Sequence, residues 1–200
     1  MKAILLALTL FAWPVTTQTL TKPERDRAVA ELDQSRQALR DATKGLSEAQ
    51  WNFKAAPDRW SARQCVEHIT LAEDLVYQIV TVQIQKEPAA PEKRGEVDGK
   101  DSFVLKTVTD RSHKFNAPEP LIPSGHFGSI MDTFKHFEQS RDRTIDYVKG
   151  TQDDLRDHYA DHPALKTLDG YQWILLVAAH TRRHTAQLLE IKADPGFPKE

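Results

Sequence analysis

Apolar residues recur at helical spacing along four long stretches of this chain. In the first, Thr21 stands as a cap ahead of Pro23 and Glu24, and Val29, Leu32, Leu39 and Leu46 then mark a heptad-like stripe. Ser47 opens a short turn containing Trp51 and Phe53, and a connector broken at Pro57 leads to Trp60. A second helix is predicted from Ser61, with Gln64 placed as its capping-box partner, to about Gln85. At 100° per residue its inner face carries Ser61, Cys65, His68, Ala72, Leu75 and Ile79. The third stretch places Phe127, Ile130, Phe134, Phe137, Ile145 and Val148 at spacings of three, four, three, eight and three, and stops at Gly150. The fourth runs from near Asp169 to about Ala193, with Trp173, Leu176, Val177, His180, His184, Leu188 and Ile191 inward. No segment sustains a period of two, so the expected fold class is all-α.

Between the second and third helices, from Lys86 to Gly125, Pro88, Pro91, Pro118, Pro120 and Pro123 interrupt a charged stretch with one helical piece, about Lys100 to Arg111. This is a crossover within one domain. A loop of that length is uncommon in compact domains and often serves as a lid or binding loop. Four long helices joined by one long and two shorter links predict a four-helix bundle.

Composition narrows the partners. The 200 residues are 40% hydrophobic and 28% charged, which suits one soluble domain with its own core. The net charge is -2 with both signs interspersed, so no basic face is available to neutralise a run of phosphates, and nucleic acid is not an expected partner. The pairs Arg182-Arg183 and Lys93-Arg94 read as solvated surface. Met1 to Thr17 read as a secretory signal peptide: Lys2 supplies a positive start, Ala3 to Trp13 are apolar, and Pro14 ends the run. That run is too short to span a bilayer, which takes about 20 apolar residues. The expected mature domain is therefore 18–200, exported to a periplasmic or extracellular location without a stable membrane anchor. Cys65 is the single cysteine, so no intramolecular disulfide can form.

The candidate chemistry lies in the histidines. His180 and His184 are four residues apart on one helix, so both imidazoles leave the same face and can converge on one ion. His68 shares the inward face of the second helix and supplies a third nitrogen. Neutral imidazoles suit a divalent transition metal, with Zn or Ni expected first and Fe or Mn after them, whereas Mg and Ca prefer oxygen. The other histidines fail the facial test: His136 lies opposite its stripe, and His113, His126, His158 and His162 fall in loops or at helix ends. His126 and His162 remain within possible reach of a substrate. Cys65 is open to three readings: a fourth ligand, a redox handle or a small buried hydrophobe. Trp60 and Trp173 read as core, and Glu67 and Glu73 project off the His68 face, so neither is assigned as a general base.

These residues resemble the DinB-like superfamily. The resemblance rests on Trp60-Ser61 followed by Glu67-His68, on Gly170-Tyr171-Gln172-Trp173, and on His180-x3-His184 followed by Thr185-Ala186-Gln187. It implies an up-up-down-down four-helix bundle whose three metal-binding histidines map onto His68, His180 and His184. Relatives with assigned activities include bacillithiol- and mycothiol-dependent transferases and a mycothiol-dependent maleylpyruvate isomerase. Such thiols work in the cytosol, so the leader points away from that chemistry.

Three protein nitrogens leave coordination positions open, and the expected activity is metal-dependent hydrolysis or group transfer on a small molecule. A second reading is a non-catalytic metal-binding or stress-related bundle. A third is a homodimer scaffold pairing through its first and third helices.

Overall fold

The computed structural model describes residues 19–199, and the expected signal peptide lies outside them. Each long helix starts where its own sequence supplies a cap. Helix α1 (Lys22–Thr43) opens on Thr21, whose side chain accepts from the Glu24 amide while the Glu24 carboxylate accepts from the Thr21 amide. A short α2 (Glu48–Asn52) is capped in the same way by Ser47 and Gln50. Helix α3 (Ala62–Gln78) has the expected Ser61–Gln64 box, then continues through a wider π turn at Ile79–Gln83 and a tight turn at Ile84–Lys86. The crossover holds α4 (Arg94–Val97) and α5 (Lys100–Thr109). Helix α6 (Ile130–Gly150) starts after Ser129, so Phe127 precedes the helix and packs instead against the rings of His126 and His136.

A hairpin that periodicity did not reveal follows α6. Strands β1 (Tyr159–His162) and β2 (Lys166–Asp169) pair antiparallel, Tyr159 opposite Asp169 and His162 opposite Lys166. Four residues per strand are too few for alternation to register. The hairpin delivers Asp169 as the cap of α7 (Gly170–Lys192), where its carboxylate accepts from the Gln172 amide at 2.7 Å. A side chain at Gly170 would place its first carbon 2.7 Å from Ile84 Cδ1 and 3.2 Å from the Leu155 carbonyl oxygen, so the start of α7 packs closely on the end of the α3 segment and a larger residue there would make Ile84 shift.

Helices α1, α3, α6 and α7 form the bundle, and two buried clusters fix their directions. One gathers Ala28 and Leu32 with Val76, Val80, Ile145, Val148 and the first turns of α7; the other gathers Leu39, Ala42, Ala62, Val66, Phe137 and Leu188. Thus α1 runs parallel to α7 and antiparallel to α3 and α6. The bundle is all-helical at its core as expected, but its order of directions is up-down-down-up rather than up-up-down-down. The links around α2 and around the hairpin each turn the chain back at one end of the bundle. The crossover returns it along the full length, with α5 lying against α7.

Helix α3 packs against both α6 and α7, so its buried surface is wider than one stripe. Cys65, His68 and Ala72 are buried as expected, whereas Leu75 and Ile79 are only half-buried and Val76 and Val80 take the deeper positions. Burying each such aliphatic side chain contributes about 1.5–3 kcal/mol.

A buried ionic cluster crosses this core. Arg141 lies four residues from both Phe137 and Ile145, filling the eight-residue gap in the third stripe, and is fully buried. Its guanidinium donates to Glu73 Oε1 and Oε2 at 3.0 and 2.7 Å, to the Leu32 carbonyl at 2.7 Å, to Ser35 at 2.7 Å and to Thr181 at 2.9 Å. One side chain thereby ties together all four bundle helices.

Candidate metal centre

Beside this cluster, α3 and α7 bring three histidines together. His68, His180 and His184 each offer a ring nitrogen, and these atoms lie within 4.8 Å of one another. Ring centroids are 4.8 Å apart for His68 and His180, 4.4 Å for His68 and His184, and 4.5 Å for His180 and His184. The antiparallel crossing of α3 and α7 sets the two elements face to face, and the four-residue spacing stacks two imidazoles on one side.

Two of the rings are oriented from behind. His68 Nδ1 donates to the Leu121 carbonyl at 2.8 Å, which leaves Nε2 as a lone-pair nitrogen turned toward the other histidines. His184 Nδ1 donates to Gln187 Oε1 at 2.9 Å, with the same effect. Gln187 in turn accepts from Arg111 at 3.4 Å, and Arg111 is forked onto Glu190 with two bonds of 2.7 Å. His68 Nε2 stands 3.0 Å from His180 Nε2. His180 Nδ1 is buried without a hydrogen-bond partner among the described residues.

This donor set fits a transition ion. Metal–imidazole bonds of about 2.0–2.1 Å put two nitrogens at right angles on one ion about 3.0 Å apart, the separation observed for the His68–His180 pair. Without an ion the same contact is an N–H···N hydrogen bond. Acceptors on the outer nitrogens of His68 and His184 are the arrangement by which metal sites fix the imidazole tautomer and raise ligand basicity.

Electrostatics keep the three imidazoles neutral. Burial holds His180 well below the usual imidazole range, with His184 and His68 adding to the effect. His184 is pushed down to about 3 by burial, then by His68, with Arg183 and Arg111 contributing. Burial also lowers His68, partly opposed by its bond to the Leu121 carbonyl. Neutral imidazole is the form that binds metal, and burial favours that form at all three rings.

The remaining candidates fall elsewhere. Cys65 is buried outside the group of converging ligand atoms, and burial pushes its thiol up to about 12, which makes it a small apolar filler. Trp173 is core, as expected. Trp60 is not: half-buried, it sets its ring 4.7 Å from His68 and 6.0 Å from His184 and walls one side of the site. His162 packs on Trp173 at 5.4 Å, and its Nδ1 accepts two backbone amides. His126 is exposed, His136 pairs with Asp74 at 2.7 Å, and His158 donates to the Ile84 carbonyl. Glu73 is held by Arg141, and Glu67 Oε1 accepts the amides of Ser124, Gly125 and His126 at 2.9, 2.8 and 2.8 Å.

The basic pairs also divide. Arg182 and Arg94 sit in ion pairs with Glu31 and Asp157. Arg183, expected on the surface, is buried and donates to the carbonyls of Val108 at 3.3 Å, of Asp110, and of His113 at 2.6 Å. A charge pair in sequence gives no sign that one member will face carbonyls from a distant connector.

Comparison with known proteins agrees with this architecture. Residues 31–188 match the family model of the DinB superfamily. The chain is 25% identical over 149 residues to YuaE, an uncharacterized protein of Bacillus subtilis (strain 168), covering 74% of this chain and 87% of that one. Among solved structures, YfiT from Bacillus subtilis, described as "a probable metal-dependent hydrolase with an unusual four-helix bundle topology", superposes with a TM-score of 0.55 at 13% identity. The superposition covers 90% of this chain and 93% of YfiT, a likeness of fold.

Proposed function

The chain belongs to the DinB superfamily, and on that premise we propose that it is an exported metalloprotein that binds one divalent transition ion through His68, His180 and His184. We further propose that it hydrolyses a small molecule or transfers a group from it. The observation that carries this reading is the orientation of the ring nitrogens: acceptors behind His68 and His184 turn both Nε2 atoms inward, and His68 Nε2 faces His180 Nε2 at 3.0 Å. The hydrolase description of the structurally similar YfiT supports the same direction. Export rests on the apolar run Ala3 to Trp13 behind Lys2.

Held by His68, His180 and His184, such an ion would have coordination positions left for water or substrate and would supply Lewis-acid chemistry, with the pKa of a bound water brought to about 7. All-nitrogen donation favours Zn or Ni, then Fe or Mn. The protein's own part is orientation and exclusion. Leu121 and Gln187 hold the tautomers, and Trp60 covers the His68 and His184 rings on one side. The test is a panel of ester, amide and thiol-transfer substrates with metal-loaded protein, alongside His184→Ala. Turnover that disappears in the variant while the helical circular dichroism is kept supports the reading; turnover that survives removes it.

One observation favours a second reading, in which the ion serves stability. Glu67 and Glu73, the carboxylates nearest His68 along α3, are committed to backbone amides and to Arg141 and do not serve as a base. On that reading His184→Ala lowers the melting temperature and no substrate in the panel turns over.

A further inference from the structure

The crossover is fastened at two places by residues that neighbour the histidine ligands in sequence. Arg183, between His180 and His184 on α7, holds the carbonyls of Val108, Asp110 and His113. The Arg183 guanidinium lies over the Phe115 ring, 5.5 Å from its centroid. Glu67, immediately before His68 on α3, gathers the amides of Ser124, Gly125 and His126 on one carboxylate oxygen. Between these two clamps the chain passes through Pro118, Pro120 and Pro123, which restrict φ and leave little slack. Within that span lies Leu121, whose carbonyl receives the His68 Nδ1 proton at 2.8 Å. Only Ile122 and Pro123 separate this carbonyl from the first amide held by Glu67.

We propose that Glu67 and Arg183 are positioning residues, clamping segment 108–126 as a strap so that the Leu121 carbonyl fixes the tautomer and ring plane of His68. The inference rests on the metal-binding reading for its effect on affinity, but not for its effect on the His68 ring. Neither residue belongs to the group of converging donor atoms. Each acts through the strap, and the strap acts through one hydrogen bond. A side chain that loses such an outer acceptor binds metal roughly ten- to a hundredfold more weakly. Glu67 is the nearer clamp, so its loss is felt more strongly at Leu121. Glutamine at this position keeps one acceptor oxygen without the charge and restores part of the effect.

Two measurements on the full mature chain decide the matter, with Glu67→Ala, Glu67→Gln and Arg183→Met compared with wild type. The first is the 15N spectrum of the His68 ring in metal-free protein. Wild type shows protonated Nδ1 and bare Nε2; Glu67→Ala and Arg183→Met shift toward a tautomer mixture, and Glu67→Gln lies between. The second is Co2+ affinity by chelator competition with the visible absorption of the bound ion. Affinity falls roughly ten- to a hundredfold and the bands move, in the order Glu67→Ala, Arg183→Met, Glu67→Gln. Variants that unfold at lower temperature yet keep the wild-type His68 ring spectrum overturn the proposal, since they show the clamps to be structural alone. Should wild type bind no Co2+, the metal reading falls, and the ring spectrum alone still upholds or overturns the strap.

Discussion

Replacing Arg141 with methionine leaves the Glu73 carboxylate inside the bundle with no cation. Both side chains are fully buried, and the guanidinium supplies the two bonds that satisfy Glu73. Its other partners lose less: Ser35 still donates to the Leu32 carbonyl and Thr181 to the Val177 carbonyl. The cost is therefore concentrated on one stranded charge, for which breaking a buried pair gives about 3–5 kcal/mol. For a domain of this size that corresponds to a fall in melting temperature of roughly 6–20 °C. Replacing both partners, Glu73→Leu with Arg141→Met, removes the stranded charge along with the pair, and stability is expected to return to within about 1 kcal/mol of wild type or above it. Urea unfolding of metal-free protein across the four members of this cycle gives the coupling energy directly. A loss below about 1 kcal/mol in the single variant, or a double variant as unstable as the sum of the two singles, refutes the reasoning.

Further predictions follow from the site. Gln187→Leu removes the acceptor behind His184 and is expected to weaken metal binding roughly ten- to a hundredfold by chelator competition; an unchanged affinity contradicts that role. Metal-free protein should lose stability as pH falls below about 6.5, because the unfolded chain protonates its histidines there while burial keeps His180 and His184 neutral, the latter down to about 3. Asp169, raised to about 6 chiefly by burial, contributes with the opposite sign in the same range, so the comparison is with His184→Leu, whose stability should fall less between pH 7 and 5. Equal slopes for the two proteins refute it. Cys65 should resist a thiol reagent in native protein and react on unfolding, since its thiol is buried and pushed up to about 12; rapid native labelling contradicts the structure.

Local signals explain what was legible in the sequence. Thr21, Ser61 and Asp169 begin helices because a short polar side chain there satisfies amides that nothing else would, and such a bond needs only residues three positions apart. The His180–His184 spacing is equally local, and facial geometry added His68 because α3 and α7 bury the sides that carry them. The order of the helices is a long-range matter. Two short links and one long one imply a chain that reverses, crosses and reverses again, which is the observed up-down-down-up order and not the one the family resemblance suggested. Arg141 left a trace, the empty position in the Phe137 to Ile145 interval, but its cation became intelligible only when Glu73 arrived from α3. Arg183 and Glu67 take their roles from segments between about 57 and 75 positions away, and Trp60 takes its role partly from His184 on another helix; residue type alone carries no mark of that.

The central claim is that three imidazole nitrogens make one metal site. Its most direct measurement is metal stoichiometry by elemental analysis after equilibrium dialysis against Zn2+, for wild type and for His68→Ala, His180→Ala and His184→Ala. One ion per chain is expected in wild type and, in each folded variant, loss of that ion at free Zn2+ concentrations that saturate the wild type. Wild-type protein that retains no ion, or variants that retain it fully, would contradict the account.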